Sequence, residues 1–179
     1  GSKSNETITE FALKGAQFAA KKNVKLLIVA CADISASAME LLRKEIEMPV
    51  IGIIEPAAKA AVSEKKNKKI GVVGSDAVAG NKTFSAEIKK LNGKIKVFEK
   101  SAPLLAAAAE ENAPGKLVNL LVKEYLEEFK EKSINALVLG NSHYPLIARE
   151  ITKYMGKEVS IINPAISTAY MVNNYLMGR

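Results

Sequence analysis

Tryptophan is absent from this sequence of 179 residues, and cysteine and histidine occur once each, as Cys31 and His143. A lone cysteine excludes an internal disulfide and fits a reducing compartment. One cysteine and one histidine leave no paired spacing of the kind that holds a metal, so no metal centre is expected. Long apolar runs are missing as well. The longest is Ala102–Ala109, far short of the roughly 20 residues that cross a bilayer. No charged-then-apolar leader opens the chain and no low-complexity tract interrupts it. The expectation is a folded, cytoplasmic protein without a membrane segment.

What is present is an ordinary globular balance, 48% hydrophobic and 25% charged, in a chain long enough for one compact domain or two small lobes. The net charge of +7 raises the question of nucleic acid. The lysines, however, fall in Lys21-Lys22, Lys65 to Lys69 and Lys89-Lys90, with little arginine and no aromatic residues between them to stack bases. They read as a solvated basic face, so no nucleic-acid partner is expected, and the field favours small anionic ligands.

Short β-branched apolar stretches alternate with longer amphipathic ones. The strand candidates are Lys25–Ala30, Val50–Ile54, Lys69–Val73, Lys94–Phe98, Ala136–Gly140 and Val159–Ile162. Their lack of polar alternation predicts strands covered on both faces. The helix candidates are Glu6–Lys22, Ser35–Ile46, Pro56–Ser63, Val78–Leu91, Lys116–Lys132, Pro145–Met155 and Ile166–Leu176, with Asn5 a candidate cap and Pro56 and Pro145 at first-turn positions. The pattern predicts an α/β protein, a mainly parallel sheet with helices on both faces.

In such folds ligands gather where strand ends lead into helices. Those loops hold Cys31, Ala32 and Asp33; Glu55 and Pro56; Gly74, Ser75 and Asp76; Asn141, Ser142 and His143; and Asn163. The only Cys and the only His are both among them. Each also has a plainer reading: Cys31 as a small buried residue, His143 as a helix-start residue bonded to backbone, Asp33 as the cap of a helix from Ser35. Gly71–Gly74 after a strand lacks the lysine and spacing of a phosphate loop. Leu26–Ser35 and Leu137–Leu146 echo one another as apolar strand, small residue, polar trio and helix start.

These two echoing segments carry motifs. Ala30-Cys31-Ala32-Asp33-Ile34-Ser35 resembles the ACNTAS-type motif of the aspartate/glutamate racemase family, and of glutamate racemases most closely. Gly140-Asn141-Ser142-His143-Tyr144-Pro145 resembles that family's GCTHYP-type motif. Gly1-Ser2-Lys3-Ser4 looks like the end of a PYGxKS motif, and Pro49–Pro56 and Ile70–Ala77 look like the PVIGVIEP and IGVIGTxA segments, all in family order.

The resemblance implies two pseudo-symmetric flavodoxin-like lobes, residues 1–62 with 144–179 and residues 63–143. It also implies cofactor-independent racemisation of glutamate for cell-wall synthesis. In that chemistry one thiolate removes the α-proton while an opposed thiol delivers another. Cys31 matches the first thiol, Asn141 stands in place of the second, and His143 is matched outright. Ser35, Ser75 and Ser142 keep hydroxyls at substrate-binding positions, whereas Asp33 replaces a substrate-binding Thr and Ala32 an Asn. The family's DSGxGG strand and last strand have no counterpart, and Ala102 takes the place of a further Cys. The expectation is a racemase scaffold trimmed at both ends, either an engineered derivative or a degenerate paralogue, with its two-base chemistry weakened or lost. A homodimer is expected, with Ile166–Leu176 or a neighbouring edge strand between subunits.

Overall fold

The computed structural model describes residues 4–64 and 66–178. Gly1 to Lys3 of the opening motif and Lys65 of the central basic run lie outside them. The chain runs α1 (Asn5–Ala20), β1 (Leu27–Val29), α2 (Ala32–Ser37), α3 (Met39–Glu45), β2 (Val50–Gly52), α4 (Ile54–Ser63), β3 (Lys69–Gly74), α5 (Asp76–Asn81), α6 (Thr83–Leu91), β4 (Lys96–Ser101), α7 (Pro103–Glu110), α8 (Gly115–Glu131), β5 (Ala136–Gly140), a 3-10 turn (Tyr144–Ile147), α9 (Ala148–Met155), β6 (Ser160–Ile162) and α10 (Pro164–Met177).

Among the described residues every strand pairing is parallel, in a two-stranded sheet β1-β2 and a four-stranded sheet β4-β3-β5-β6. This is the α/β architecture that the unalternating apolar strands predict. The four-stranded sheet is covered on both faces. Val73, Leu137 and Leu139 pack with α7, α8 and α9 on one side, and Ile70, Val72, Ala136 and Val138 pack with α4 and α6 on the other. The smaller sheet rests on α1 and α3 through Val29, Val50, Ala12 and Leu42. Strand β6, in the segment that the sequence reading assigns to the first lobe, is hydrogen-bonded to β5 of the larger sheet.

The register that matters for the site is Gly74 opposite Gly140, which brings the ends of β3 and β5 level. Neither glycine has room for a side chain. A Cβ on Gly140 would meet the Val73 carbonyl oxygen at 2.8 Å, and one on Gly74 would meet Val78 Cγ1 at 2.7 Å. The close approach sets Ser75 and Asn141 side by side at the loop starts.

Several boundaries differ from the sequence expectation. Pro145–Met155 opens as a 3-10 turn before α9, α4 starts at Ile54 rather than Pro56, and β4 is Lys96–Ser101 rather than Lys94–Phe98. Four further differences have a local reason. Ser35–Ile46 is two helices, broken at Ala38, whose φ of −122° leaves the helical region. Val78–Leu91 breaks at Lys82, which adopts a left-handed φ of 50°. Ser4, not Asn5, caps α1 by accepting from Thr7 N, while Asn5 accepts from Ser37 across the α1–α2 contact. Helix α7 has no counterpart in the expectation, because its run of alanines carries no amphipathic stripe to read.

Candidate functional site

The loops at the carboxyl ends of β1, β3 and β5 form the candidate site. Cys31 occupies the cap position of α2 with no side-chain capping bond, and its thiol is half-buried. Asp33 is therefore not the cap of the following helix. It stands in the first turn of α2 and its carboxylate accepts a hydrogen bond from Ser75 Oγ. Ser75 caps α5, its Oγ accepting from Val78 N at 3.1 Å, so the Asp33–Ser75 bond fastens the smaller sheet's loop to the larger sheet's. Asn81 Nδ2 donates to Ser37 Oγ at 3.2 Å and makes a second tie between α2 and α5.

Ser35 is buried and its hydroxyl is committed to backbone. It donates to Val29 O at 3.1 Å and accepts from Ile53 N at 3.3 Å, pinning the end of β1 to the start of α4. Asn141 is committed as well. Its Oδ1 accepts from His143 N at 2.9 Å and lies 3.1 Å from His143 Nδ1. An acceptor there favours the tautomer with the proton on Nδ1. The other ring nitrogen, Nε2, lies 4.0 Å from Glu110 Oε2 at the end of α7. Both side chains are exposed, so this pair is worth little as an ion pair and acts only when the ring is protonated.

Beneath the loops Tyr144 is fully buried, its hydroxyl 2.9 Å from Ala102 O and 3.1 Å from Gly74 O. Burial pushes its phenol well above the usual tyrosine range, and the neighbouring Tyr125 phenol and the Asp33 and Asp76 carboxylates push the same way. The phenol is thus a fixed proton donor, not an acid in the chemistry.

A cleft of about 580 Å³ opens between the ends of β1 and β5 and the flank of α10, with Ile28, Ala30, Asn141, Ser142, Thr168 and Val172 among its walls. None of its lining residues is charged. Of the seven residues singled out from sequence, Asn141 and the exposed Ser142 line it. Asp33 and Ser75 are bound to each other, Ser35 lies in the β1–β2 seam, and Cys31 and His143 flank the cleft from adjacent loop positions. Glu110, Thr168 and Asn173 are site residues that the sequence did not mark. Glu110 reaches His143 only through the unexpected α7, and the other two lie within α10, away from the strand-end loops that the sequence reading searched. Among the described residues no three His, Cys, Asp or Glu side chains gather, and no helix is long and apolar enough to cross a membrane.

Parallel sheets whose strand ends carry a thiol loop after β1 and an Asn-Ser-His loop after β5 define a class. Residues 2–172 match the family model described as Asp/Glu/hydantoin racemase, and the chain belongs to that family. Within it, glutamate racemases are among the similar proteins. That of Geobacter metallireducens is 35% identical over 179 residues, covering 99% of this chain and 66% of the relative. That of Aquifex pyrophilus is 38% identical over 177 residues, covering 98% and 68%. The solved glutamate racemase isoform RacE1 from Bacillus anthracis superposes with a TM-score of 0.94 at 31% identity, over 99% of this chain and 67% of that one. The Francisella tularensis glutamate racemase, solved with D-glutamate, superposes with a TM-score of 0.90 at 31% identity, over 99% and 66%. The chain spans about two thirds of the length of these relatives.

Proposed function

We propose that this chain is a cytoplasmic, glutamate racemase-like scaffold that takes a small anionic amino acid such as glutamate, with its two-base proton transfer weakened or lost. The observation that carries this reading is Asn141, an amide where a second thiol is needed, held by His143. An amide neither takes nor gives a proton at neutral pH. Cys31 alone can attack the α-proton from one face only. No cofactor is needed for that step, and by resemblance the product supplies D-glutamate to the cell wall. The D-glutamate in the Francisella tularensis relative supports the ligand class. The two lobes are residues 1–62 with 144–179 and residues 63–143, and the molecule acts as a homodimer.

Deuterium wash-in at the α-carbon tests the chemistry. Exchange of one glutamate enantiomer without inversion is the expected result. Racemisation at the level of an intact glutamate racemase would overturn the weakened-base reading. A second reading, a non-catalytic binding module or an engineered derivative of the scaffold, is favoured by one contact. The Asp33 carboxylate already occupies the Ser75 hydroxyl and would repel a dicarboxylate. No exchange with either enantiomer selects it.

A further inference from the structure

Residues 65–69 carry four lysines and no acid, and residues 89–96 carry four more lysines and no acid. The whole chain is +7, so the remainder nets −1 and the excess belongs to these two runs. The fold brings them together. The first run leads into β3, and the second spans the end of α6 and the start of β4, at the edge of the larger sheet. Lys69 and Lys96 are register partners, Lys96 N donates to Lys68 O at 2.9 Å, and Lys68 N donates to Asn135 Oδ1 at 2.9 Å. Like charges set opposite one another in a sheet are unfavourable. Among the described residues Lys68, Lys94 and Lys96 are exposed and make no ion pair. Lysines in a helix's last turn offset its dipole, which accounts for Lys89 and Lys90 on α6. It does not account for Lys68, Lys94 and Lys96, which lie outside any helix. Beside them Leu91, the last residue of α6, stands 45% exposed.

We propose that this face docks on an anionic lipid surface, with the lysine ammonium groups among the headgroups and Leu91 dipping into the interface. Charge complementarity requires a polyanion, and the composition of the patch selects which. A bidentate grip on single phosphates uses arginine, and base stacking uses aromatic rings; neither occurs in the two runs. Clusters of about four to eight lysines hold proteins to anionic leaflets through a summed field that needs no defined pocket. An exposed leucine among lysines adds to binding at a lipid interface and adds nothing against a phosphate backbone. The contact is peripheral, since among the described residues no helix is long and apolar enough to cross a bilayer. Strand β3 runs from Lys69 in the patch to Gly74 beneath the candidate site, roughly 17 Å away, so the site stays open to solvent when the face is docked. The inference goes beyond the racemase reading and does not depend on it.

Co-sedimentation of the full chain with lipid vesicles at low ionic strength tests it. Vesicles of phosphatidylcholine with phosphatidylserine should carry the protein down, and vesicles of phosphatidylcholine alone should not. Each lysine near an anionic leaflet is worth about fivefold in affinity, so Lys94→Gln with Lys96→Gln should weaken binding roughly 25-fold. Lys116→Gln with Lys123→Gln removes the same charge from exposed positions of α8, outside the patch, and should weaken it no more than about twofold. Leu91→Ser should weaken vesicle binding at least about threefold. No sedimentation with the anionic vesicles, equal sedimentation with both kinds, or equal losses from the two double variants overturns the proposal. Binding to duplex DNA that is tighter than to vesicles and indifferent to Leu91→Ser assigns the face to nucleic acid and also overturns it. If Lys96→Gln disturbs β4, seen as a lowered thermal melt, Lys68→Gln with Lys94→Gln replaces that pair with the same expectation. Absence of α-proton exchange leaves these outcomes untouched, so the two readings fail separately.

Discussion

At position 141 a carboxamide is held by its neighbour two residues on, through the backbone N–H of His143 and the ring Nδ1. Replacing it by a thiol restores a group that can move a proton, and one positioned acid or base is typically worth ~10²–10⁴-fold. Asn141→Cys should therefore raise α-proton exchange. Interconversion of D- and L-glutamate, followed by polarimetry, should stay well below that of an intact racemase because Asp33 still holds Ser75. Tyr144→Phe removes a buried hydroxyl that serves two carbonyls and should cost about 1 kcal/mol in urea unfolding. Glu99 sets a pH dependence. Burial raises its pKa, its Oε1 accepts from Ser85 N at 2.7 Å, and its Oε2 is buried with no hydrogen-bond partner among the described residues. A carboxyl raised by folding stabilises most below its unfolded pKa and loses that contribution as pH rises through the folded value. Glu99→Gln should thus be more stable than the parent at neutral pH, with the difference shrinking as urea melts are taken to acid pH. At this scale the sequence shows Asn141 and His143 together because they are two residues apart. It hides Glu110, whose partner lies 33 positions away, and it cannot show that Ser35 spends its hydroxyl on the β1–β2 seam.

Between the ends of β3 and β5 the site depends on two glycines packed Cβ-free against backbone and Val78. Gly140→Ala drives a methyl into the Val73 carbonyl, which cannot yield as a side-chain tip would. A loss of roughly 2 kcal/mol or more is expected in denaturant melts, since overpacking typically costs about 1–3 kcal/mol. The strands themselves were legible, because β3 and β5 are buried on both faces and their sequences say so without alternation. The helices were legible in place but not in continuity. The break at Ala38 carries no Gly or Pro to announce it, whereas the one at Lys82 follows Gly80-Asn81, a turn signal that the reading passed over. Helix α7 exists because Leu105, Ala108 and Ala109 pack into the core beside α8, a contact with no local signature.

Over the whole molecule the two sheets are unequal. The larger has both faces buried, whereas β1 and β2 are three residues each and Ile28 is 45% exposed. Opening free energies follow buried contacts, so amides of β1 should exchange with deuterium at least about tenfold faster than those of β3 and β5. Equal protection would mean that the smaller sheet is supported elsewhere. The parallel architecture was readable from the chain, but the unequal division was not, because β6 pairs with β5 through a register that no residue of Ser160–Ile162 specifies. The lysine patch at the starts of β3 and β4 has a colloidal consequence. Carrying the charge excess of a +7 body, it sets the long-range field that keeps like copies apart. Added salt shortens that field, to a Debye length of about 10 Å at 0.1 M. Raising the ionic strength should therefore tighten association between copies, where a dimer held by ion pairs would come apart.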